Sequence, residues 1–158
     1  MTRLTRDEWG LEMAKTVSMR ATCLRRSVGC VLTDQKGHIL ATGFNGVARG
    51  LPHCNEAHPC VGACAPSGTQ LDACDAIHAE QNALLQCGDV ERVSTCYVTV
   101  SPCVTCVKLL LNTSCQRIVF IERYAHDEAA NRLWERVDRA WIHRPSDEPI
   151  TERTLFPR

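Results

Sequence analysis

The chain lacks long apolar runs and an excess of charge of either sign. No apolar run reaches the roughly 18 residues that a membrane-spanning helix needs. The 18 basic and 18 acidic side chains give a formal net charge of zero, which argues against a surface built for long nucleic acids. Residues 1–8 contain no apolar segment typical of a secretory signal. We therefore expect one cytoplasmic domain, with neither a membrane nor a long nucleic acid as its partner.

The sequence also lacks internal repeats and low-complexity tracts, but it is rich in cysteine. It contains 11 cysteines, an odd number, and no export signal precedes them. In a reducing compartment, clustered cysteines are more often metal ligands or catalytic groups than disulfide partners. Composition therefore predicts an intracellular protein that binds metal.

The pattern of apolar residues predicts alternating helices and strands over residues 1–144. Thr5 and Glu8 form a capping box at the start of the first predicted helix. Helices are predicted at 6–20, 76–87, 103–111 and 127–137, and strands at 28–34, 38–44, 94–100, 117–122 and 140–143. The first two strands read as a hairpin, and the order predicts one sheet with helices on both faces. Residues 145–158 are predicted to be a loosely ordered C-terminal tail.

The stretch 46–75 has no periodicity and is rich in glycine and proline. At roughly 30 residues it is too long for a plain connection inside a compact domain. Such a stretch is either functional or tied down by a specific interaction. Its cysteines, Cys54, Cys60, Cys64 and Cys74, indicate how it is tied.

The strongest chemical signal is the pair of motifs His78-Ala79-Glu80 and Pro102-Cys103-Val104-Thr105-Cys106, each at a predicted helix start. A neutral imidazole and two thiolates suit Zn²⁺, and three protein ligands leave one position open, as in catalytic zinc sites. Zinc bound there would acidify a water molecule and so make it a nucleophile near neutral pH. Glu80 is not needed as a ligand and is placed to move that proton. A closed zinc knuckle would leave Glu80 unexplained.

Taken together, these motifs resemble the signature of the zinc-dependent nucleobase deaminases. Three further segments match, namely 23–30 (CLRRSVGC), 42–46 (TGFNG) and 50–54 (GLPHC). Over roughly residues 5–124 the sequence resembles the deoxycytidylate (dCMP) deaminases of the cytidine deaminase superfamily. The resemblance implies a three-layer α/β/α fold with a five-stranded mixed central sheet. It also implies zinc-dependent hydrolysis of dCMP to dUMP and ammonia, which supplies dUMP for thymidylate synthesis.

The resemblance also implies roles for individual residues. His78, Cys103 and Cys106 would hold the catalytic zinc, and Glu80 would shuttle protons to N3 and then to the departing amine. The backbone around Ala79 and Ser101 would read the base edge, and Asn45 would bind the sugar.

The 5′-phosphate of such a substrate requires a basic partner. Arg25 and Arg26 are the candidates because a guanidinium can bind phosphate with two hydrogen bonds, and Arg20 is a weaker one. The alternative is a solvated basic helix end. Tyr124 follows a predicted strand and either lines the site or packs in the core.

Cys23, Cys54 and Cys74 occupy positions at which the family often holds a second, structural zinc, and Cys60 is the preferred fourth ligand. Cys64 or His53 could replace Cys60, and the alternative is a set of free thiols. Four ligands would close the site and order the stretch 46–75. Cys30, Cys87, Cys96 and Cys115 are interpreted as inert apolar residues, and His38, His58, His126 and His143 as surface or satisfied histidines.

Family members are often hexamers activated by dCTP and inhibited by dTTP, so these effectors and a homohexamer are expected. The chain has Gln86 and Asp89 where some members carry an aromatic and a basic residue. This difference bears on regulation by dCTP and dTTP rather than on the deamination reaction. Residues 47–49 (VAR) replace a proline-containing stretch, a change that could admit a 5-substituted base such as 5-methyl-dCMP. Rival interpretations are a tRNA or polynucleotide deaminase, a deaminase of a riboflavin-pathway pyrimidine, and a non-catalytic zinc-binding module.

Overall fold

The computed structural model describes residues 3–54, 60–66 and 68–146. The described part contains four α-helices: α1 (Arg6–Ser18), α2 (Ala79–Gln86), α3 (Val104–Leu111) and α4 (Glu128–Glu135). Its strands are β1 (Gly29–Thr33), β2 (Ile39–Phe44), β3 (Gly46–Val47), β4 (Ala76–Ile77), β5 (Thr95–Val100), β6 (Arg117–Glu122) and β7 (Ala140–His143). Among the described residues, no helix has the length and apolar character needed to cross a membrane.

The central sheet has the strand order β2-β1-β5-β6-β7. Strand β1 runs antiparallel to both β2 and β5, whereas β5, β6 and β7 are mutually parallel. The predicted hairpin, the mixed five-stranded sheet and the last edge strand are therefore confirmed. Because parallel strands end at the same edge, the segments that follow β5 and β6 lie side by side.

The two faces of the sheet are covered by different helices. Helix α1 packs on one face, where Leu11 and Ala14 contact Val31 and Tyr97. Helices α2, α3 and α4 cover the other face, and the side chains that they add to its apolar core include Ala79, Ala83, Val107, Leu110, Ala130 and Trp134. Successive residues of a strand point to opposite faces, so β1 and β5 are buried along their whole length. The predicted three-layer α/β/α architecture is confirmed.

Helix α1 is fixed at its start and along its buried face. Thr5 Oγ1 accepts from the Glu8 amide at 3.3 Å, and Glu8 Oε2 accepts from the Thr5 amide at 2.7 Å, so the predicted capping box is present. In the first turn of the helix, Asp7 accepts from Arg117 at 2.8 Å and from Tyr97 Oη at 3.0 Å. These contacts join α1 to β5 and β6.

The largest difference from the predicted elements lies before α2. The helix predicted at 76–87 begins only at Ala79, because Ala76 and Ile77 form β4 and pair with Val47 and Gly46 of β3. This small sheet brackets the cysteine-rich stretch, which also contains two short 3-10 helices, Val61–Cys64 and Leu71–Ala73. Local periodicity cannot detect such a pairing, because the partner strand is distant in sequence. His58 and residues 147–158, most of the predicted tail, lie outside the described residues.

Candidate active site

Two helix starts bring the predicted zinc ligands together. His78 is the N-cap residue of α2 and Cys103 is the N-cap residue of α3, and both have extended backbones. The His78 amide donates to Gln81 Oε1 at 2.8 Å, which fixes the point where α2 begins. Pro102 directly precedes the N-cap residue of α3. Cys106 lies in the first turn of α3, so both thiols of the Cys-x-x-Cys motif face His78.

The three candidate ligand atoms form a compact group. His78 Nδ1 is 3.5 Å from Cys103 Sγ and 3.4 Å from Cys106 Sγ. In the part of the chain that the structure describes, only these three residues have ligand atoms all within 4.8 Å of one another. One imidazole nitrogen and two sulfurs are a donor set that fits Zn²⁺, and a set of three leaves a fourth position for water or substrate.

The titratable groups of this set influence one another. A hydrogen bond from Cys106 lowers the pKa of Cys103 to about 4, and the neighbouring His78 adds to the effect. The hydrogen bond to Cys103 in turn raises the pKa of His78. Cys103 is therefore a ready thiolate, which is the form that binds metal.

Glu80 is buried beside the ligand set. Only 4 % of its surface is exposed, and its carboxyl group interacts with His78, Cys103 and Cys106. Burial raises the pKa of Glu80 to about 6. A carboxyl group with this pKa can take up and release protons near neutral pH, which is the property that general acid–base catalysis requires.

Gly43 lets α2 approach the sheet closely, a role that the sequence pattern did not predict. A Cβ atom on Gly43 would lie 2.2 Å from the Ala79 carbonyl oxygen and 2.3 Å from the Ala83 amide nitrogen. Only glycine allows this contact between the backbones of β2 and α2. The position of His78 and Glu80 relative to the sheet therefore depends on a residue distant in sequence, and an unexplained glycine inside a predicted strand was its one signal.

A cavity of about 410 Å³ opens beside Glu80, His78 and Cys103. The six residues predicted to bind substrate all line it: Arg25, Arg26, Asn45, Ala79, Ser101 and Tyr124. Arg20, the weaker phosphate candidate, is exposed and is not among the lining residues. The structure thus brings the predicted substrate residues to one space next to the ligand set.

The two arginines at the cavity differ in what they contact. Arg25 Nη2 donates to the Pro66 carbonyl at 2.6 Å, and Arg25 Nη1 donates to the Thr69 carbonyl at 3.3 Å. The Arg26 side chain is exposed and makes no hydrogen bond or ion pair with the described residues. Both line the cavity, but only the Arg26 guanidinium has all its donors available.

Polar groups of Asn45, Ser101 and Tyr124 shape the rest of the cavity. Asn45 Oδ1 accepts from the Val28 amide at 2.8 Å, and its Nδ2 donates to the Arg26 carbonyl at 2.7 Å. Each of these atoms can still make a second hydrogen bond. Ser101 Oγ accepts from the Tyr124 amide at 2.6 Å, which joins the segments after β5 and β6.

The four cysteines predicted to bind a second zinc lie near one another. Cys60 interacts with both Cys54 and Cys74, and Cys23 is close enough to interact electrostatically with those two residues. Their thiols are more widely spaced than the His78 set, because within the described residues only that set meets the 4.8 Å separation. Cys64 is exposed and lines the cavity instead.

The remaining cysteines and histidines have other surroundings. Cys30, Cys96 and Cys115 are fully buried, and Cys87 is partly exposed and packs at the edge of the same core. His38 contacts Asp34 at 3.1 Å, and His143 lies 2.9 Å from the Ile121 carbonyl. His126 packs edge-on against Tyr124, with ring centres 5.6 Å apart.

The fold and the ligand set define a zinc-binding deaminase domain, and comparison with known families agrees. The model of the cytidine and deoxycytidylate deaminase zinc-binding region matches residues 4–122. The chain therefore belongs to this family, which confirms the resemblance seen in the sequence.

Within the family, the relatives carry more specific names. A deoxycytidylate deaminase of Schizosaccharomyces pombe is 37% identical over 125 residues, which cover 77% of this chain and 38% of that protein. A deoxycytidylate deaminase of Mycobacterium phage D29 is 31% identical over 125 residues, which cover 76% of this chain and 97% of that protein. The chain thus spans less than half the length of the yeast relative.

A solved structure shares the fold. The dCMP deaminase of cyanophage S-TIM5, determined in complex with dCMP and dUMP, superposes with a TM-score of 0.69. The two sequences are 21% identical, and the match covers 91% of this chain and 100% of the phage chain.

Proposed function

We propose that the chain catalyses the hydrolytic deamination of dCMP to dUMP and ammonia, a reaction that supplies dUMP for thymidylate synthesis. The observation that carries the proposal is the buried Glu80 carboxyl beside His78, Cys103 and Cys106, in a cavity that also contains Arg26. The names of the yeast and phage D29 relatives support dCMP as the substrate.

His78, Cys103 and Cys106 would hold Zn²⁺, because their nitrogen and sulfur donors suit this ion. When bound, zinc supplies a Lewis acid that lowers the pKa of a coordinated water. The hydrogen bond from Cys106 already favours the thiolate form of Cys103, so this ligand is prepared for the metal.

Glu80 would move the protons. It takes one proton from the attacking water and delivers it to N3 of the cytosine ring. It then takes the second proton from the new hydroxyl on C4 and delivers it to the amine as the bond between C4 and the exocyclic nitrogen breaks. One water is consumed and one ammonia is released, and C4 ends as a carbonyl. A carboxyl group with a pKa of about 6 suits both directions of transfer at neutral pH.

The other cavity residues would orient the nucleotide. The backbone at Ala79 and Ser101 reads the base edge, and Asn45 uses its remaining hydrogen-bonding capacity on the sugar. Tyr124 contributes a half-buried aromatic side chain to the cavity. Arg26 binds the 5′-phosphate, because its guanidinium is exposed at the cavity and has no partner among the described residues.

A panel of substrates tests this proposal: dCMP, 5-methyl-dCMP, CMP, deoxycytidine and a cytosine-containing RNA. We expect turnover of dCMP and little turnover of deoxycytidine. The variant Arg26→Ala should lower kcat/KM for dCMP about tenfold or more and leave that for deoxycytidine unchanged, since charged hydrogen bonds contribute roughly 1.5–3 kcal/mol. Turnover of RNA but not of dCMP would contradict the proposal, as would inactivity of the zinc-loaded protein toward the whole panel.

A second zinc bound by Cys23, Cys54, Cys60 and Cys74 is part of the proposal. The contacts of Cys60 with Cys54 and Cys74 support Cys60 as the fourth ligand. We expect two zinc ions per chain in the intact protein and one in Cys74→Ser. Cys64→Ser is the matched control because it removes an exposed thiol of the same loop, and it should retain two. One zinc per fully loaded chain would contradict the second site.

The homohexamer, the effectors dCTP and dTTP, and cytoplasmic localisation stay predictions of the sequence. Asp89 does not extend α2 but accepts from the Glu91 amide at 3.0 Å, at the start of a short 3-10 helix. Light scattering for the oligomer and the dCMP assay with added dCTP or dTTP test the first two expectations. A monomer whose activity is independent of both nucleotides would contradict them.

A further inference from the structure

Arg25 connects two parts of the chain that are far apart in sequence. It lies between α1 and β1, and its guanidinium reaches the carbonyls of Pro66 and Thr69, 41 and 44 residues later. These distances, 2.6 and 3.3 Å, place one Nη atom on each carbonyl. The planar fork of an arginine suits such paired acceptors, whereas a lysine ammonium has no fork.

The carbonyls that Arg25 binds belong to one side of the cavity. Residues 60–66 and 68–74, here called the cavity wall, contribute Ala63, Ala65 and Leu71 to the lining. The cavity wall contains only two 3-10 turns and no strand or α-helix among its described residues. Backbone without regular structure depends on side chains from elsewhere for its position.

Besides Arg25, other described residues also contact the cavity wall. Cys60 interacts with Cys54, which lies outside the wall, and with Cys74 at the other end of the wall's sequence. Gly68, with φ of 80°, packs so closely on the Tyr124 and His126 side chains that a Cβ atom would lie 2.4 Å from His126. A Cβ atom on Gly62 would lie 3.1 Å from Cys74 and 3.5 Å from Arg25, so the contact at Cys74 adjoins the guanidinium.

We propose that Arg25 is a positioning residue that holds the cavity wall in place and thereby sets the affinity for the nucleotide, leaving phosphate binding to Arg26. The effect on affinity rests on the proposed function, but the effect on the cavity wall does not. Removal of Arg25 leaves the Thr69 carbonyl without that donor and leaves the Pro66 carbonyl bonded only within the wall, to the Thr69 amide and hydroxyl. The His78 and Glu80 positions at the start of α2 stay intact.

Hydrogen exchange measured by mass spectrometry tests whether Arg25 holds the cavity wall. The measurement uses the zinc-loaded protein without substrate. Peptides covering the cavity wall report on the amides of Ala63, Ala65 and Thr69, which bind the carbonyls of Cys60, Gly62 and Pro66. Arg25→Ala should speed exchange there about tenfold or more, as expected for two lost hydrogen bonds from a charged group, and leave α2 and α3 unchanged. Arg26→Ala is the matched control and should leave exchange in the cavity wall unchanged.

Steady-state kinetics with dCMP test whether Arg25 also sets the affinity for the nucleotide. Arg25→Ala should raise KM about tenfold and change kcat less than twofold, and Arg25→Lys should fall between the wild type and Arg25→Ala. If Arg25→Ala raises KM while exchange is unchanged, Arg25 is a direct substrate contact and the proposal is wrong. Faster exchange with an unchanged KM also overturns it.

Two further outcomes remain decisive. If Arg25→Ala does not fold, Arg25→Lys carries both measurements, and no change in its exchange overturns the proposal. If the wild type deaminates none of the nucleotides, the proposed function fails, whereas the exchange experiment still decides whether Arg25 holds the cavity wall.

Discussion

The two groups of candidate zinc ligands lie on different kinds of structure. His78, Cys103 and Cys106 lie at the first turns of α2 and α3, which pack on the central sheet, and their ligand atoms are within 4.8 Å of one another. Cys54, Cys60 and Cys74 lie in or beside irregular backbone, and their thiols are more widely spaced. Packing against the central sheet positions the elements that carry the first group. We expect the second group to depend more on a bound ion for its arrangement.

The largest expected effect concerns chemistry rather than metal binding. Glu80→Gln should lower kcat for dCMP about a thousandfold, because general acid–base catalysis contributes typically 10²–10⁴. The number of zinc ions per chain should not change, since Glu80 lies outside the ligand set. Steady-state assays and metal analysis measure both quantities.

Glu91→Gln is the matched control for Glu80→Gln. Glu91 is exposed and bonds Ser114 at 2.8 Å, away from the cavity. Its variant should keep wild-type kcat. A Glu80→Gln protein of comparable activity would rule out Glu80 as the proton carrier.

Chelation of zinc tests whether the two ligand groups differ in their dependence on a bound ion. After dialysis against a chelator, amide exchange should accelerate strongly in residues 60–66 and 68–74, whereas α2 and α3 keep their protection because the core holds them. Cys54→Ser should reproduce the effect on the loop alone. Equal loss of protection in both regions would show that the catalytic ligand set also depends on its ion.

Gly43→Ala should displace α2, the helix at whose start His78 of the first ligand group lies. The new methyl group meets the Ala79 and Ala83 backbone at 2.2 and 2.3 Å, so α2 must shift and stability should fall by about 3 kcal/mol. Gly88→Ala has nothing within 4 Å and should change stability by less than about 0.5 kcal/mol. Urea unfolding measures both, and equal stabilities would contradict the close contact.

Asp7→Asn should have the smallest effect and spare both ligand groups. It removes the partly buried ion pair with Arg117, 2.8 Å long, which should lower the free energy of unfolding in urea by about 1–2 kcal/mol. Burial and then the Asp7 carboxylate raise the pKa of Tyr97 to about 12, so an ultraviolet titration should show a lower pKa in the variant. Loss of zinc from Asp7→Asn would show that the α1 face supports the ligand sites after all.

The sequence was sufficient for the parts of the site that depend on local spacing. His78 and Glu80, and likewise Cys103 and Cys106, are separated by one helical turn or less, so their motifs reveal which side chains meet. The central sheet was also predictable, since its strands are apolar throughout or alternate with period two.

Contacts between distant residues could not be predicted from those patterns. The pairing of β3 with β4, the approach of α2 to Gly43 and the bonds of Arg25 to Pro66 and Thr69 each join segments more than 25 residues apart. Arg25 and Arg26 are adjacent and chemically identical in sequence, and only their different partners separate them.

The placement of the tryptophans determines what fluorescence can report. Trp134 is fully buried on α4, and its Nε1 donates to the Ala140 carbonyl at 2.9 Å. Trp9 lies on α1 and Trp141 on β7, and none of the three is among the residues that line the cavity. Intrinsic emission therefore follows the unfolding of the sheet and its helices. A protein whose cavity wall has loosened would emit like the intact one, so its opening needs a probe placed on the wall itself.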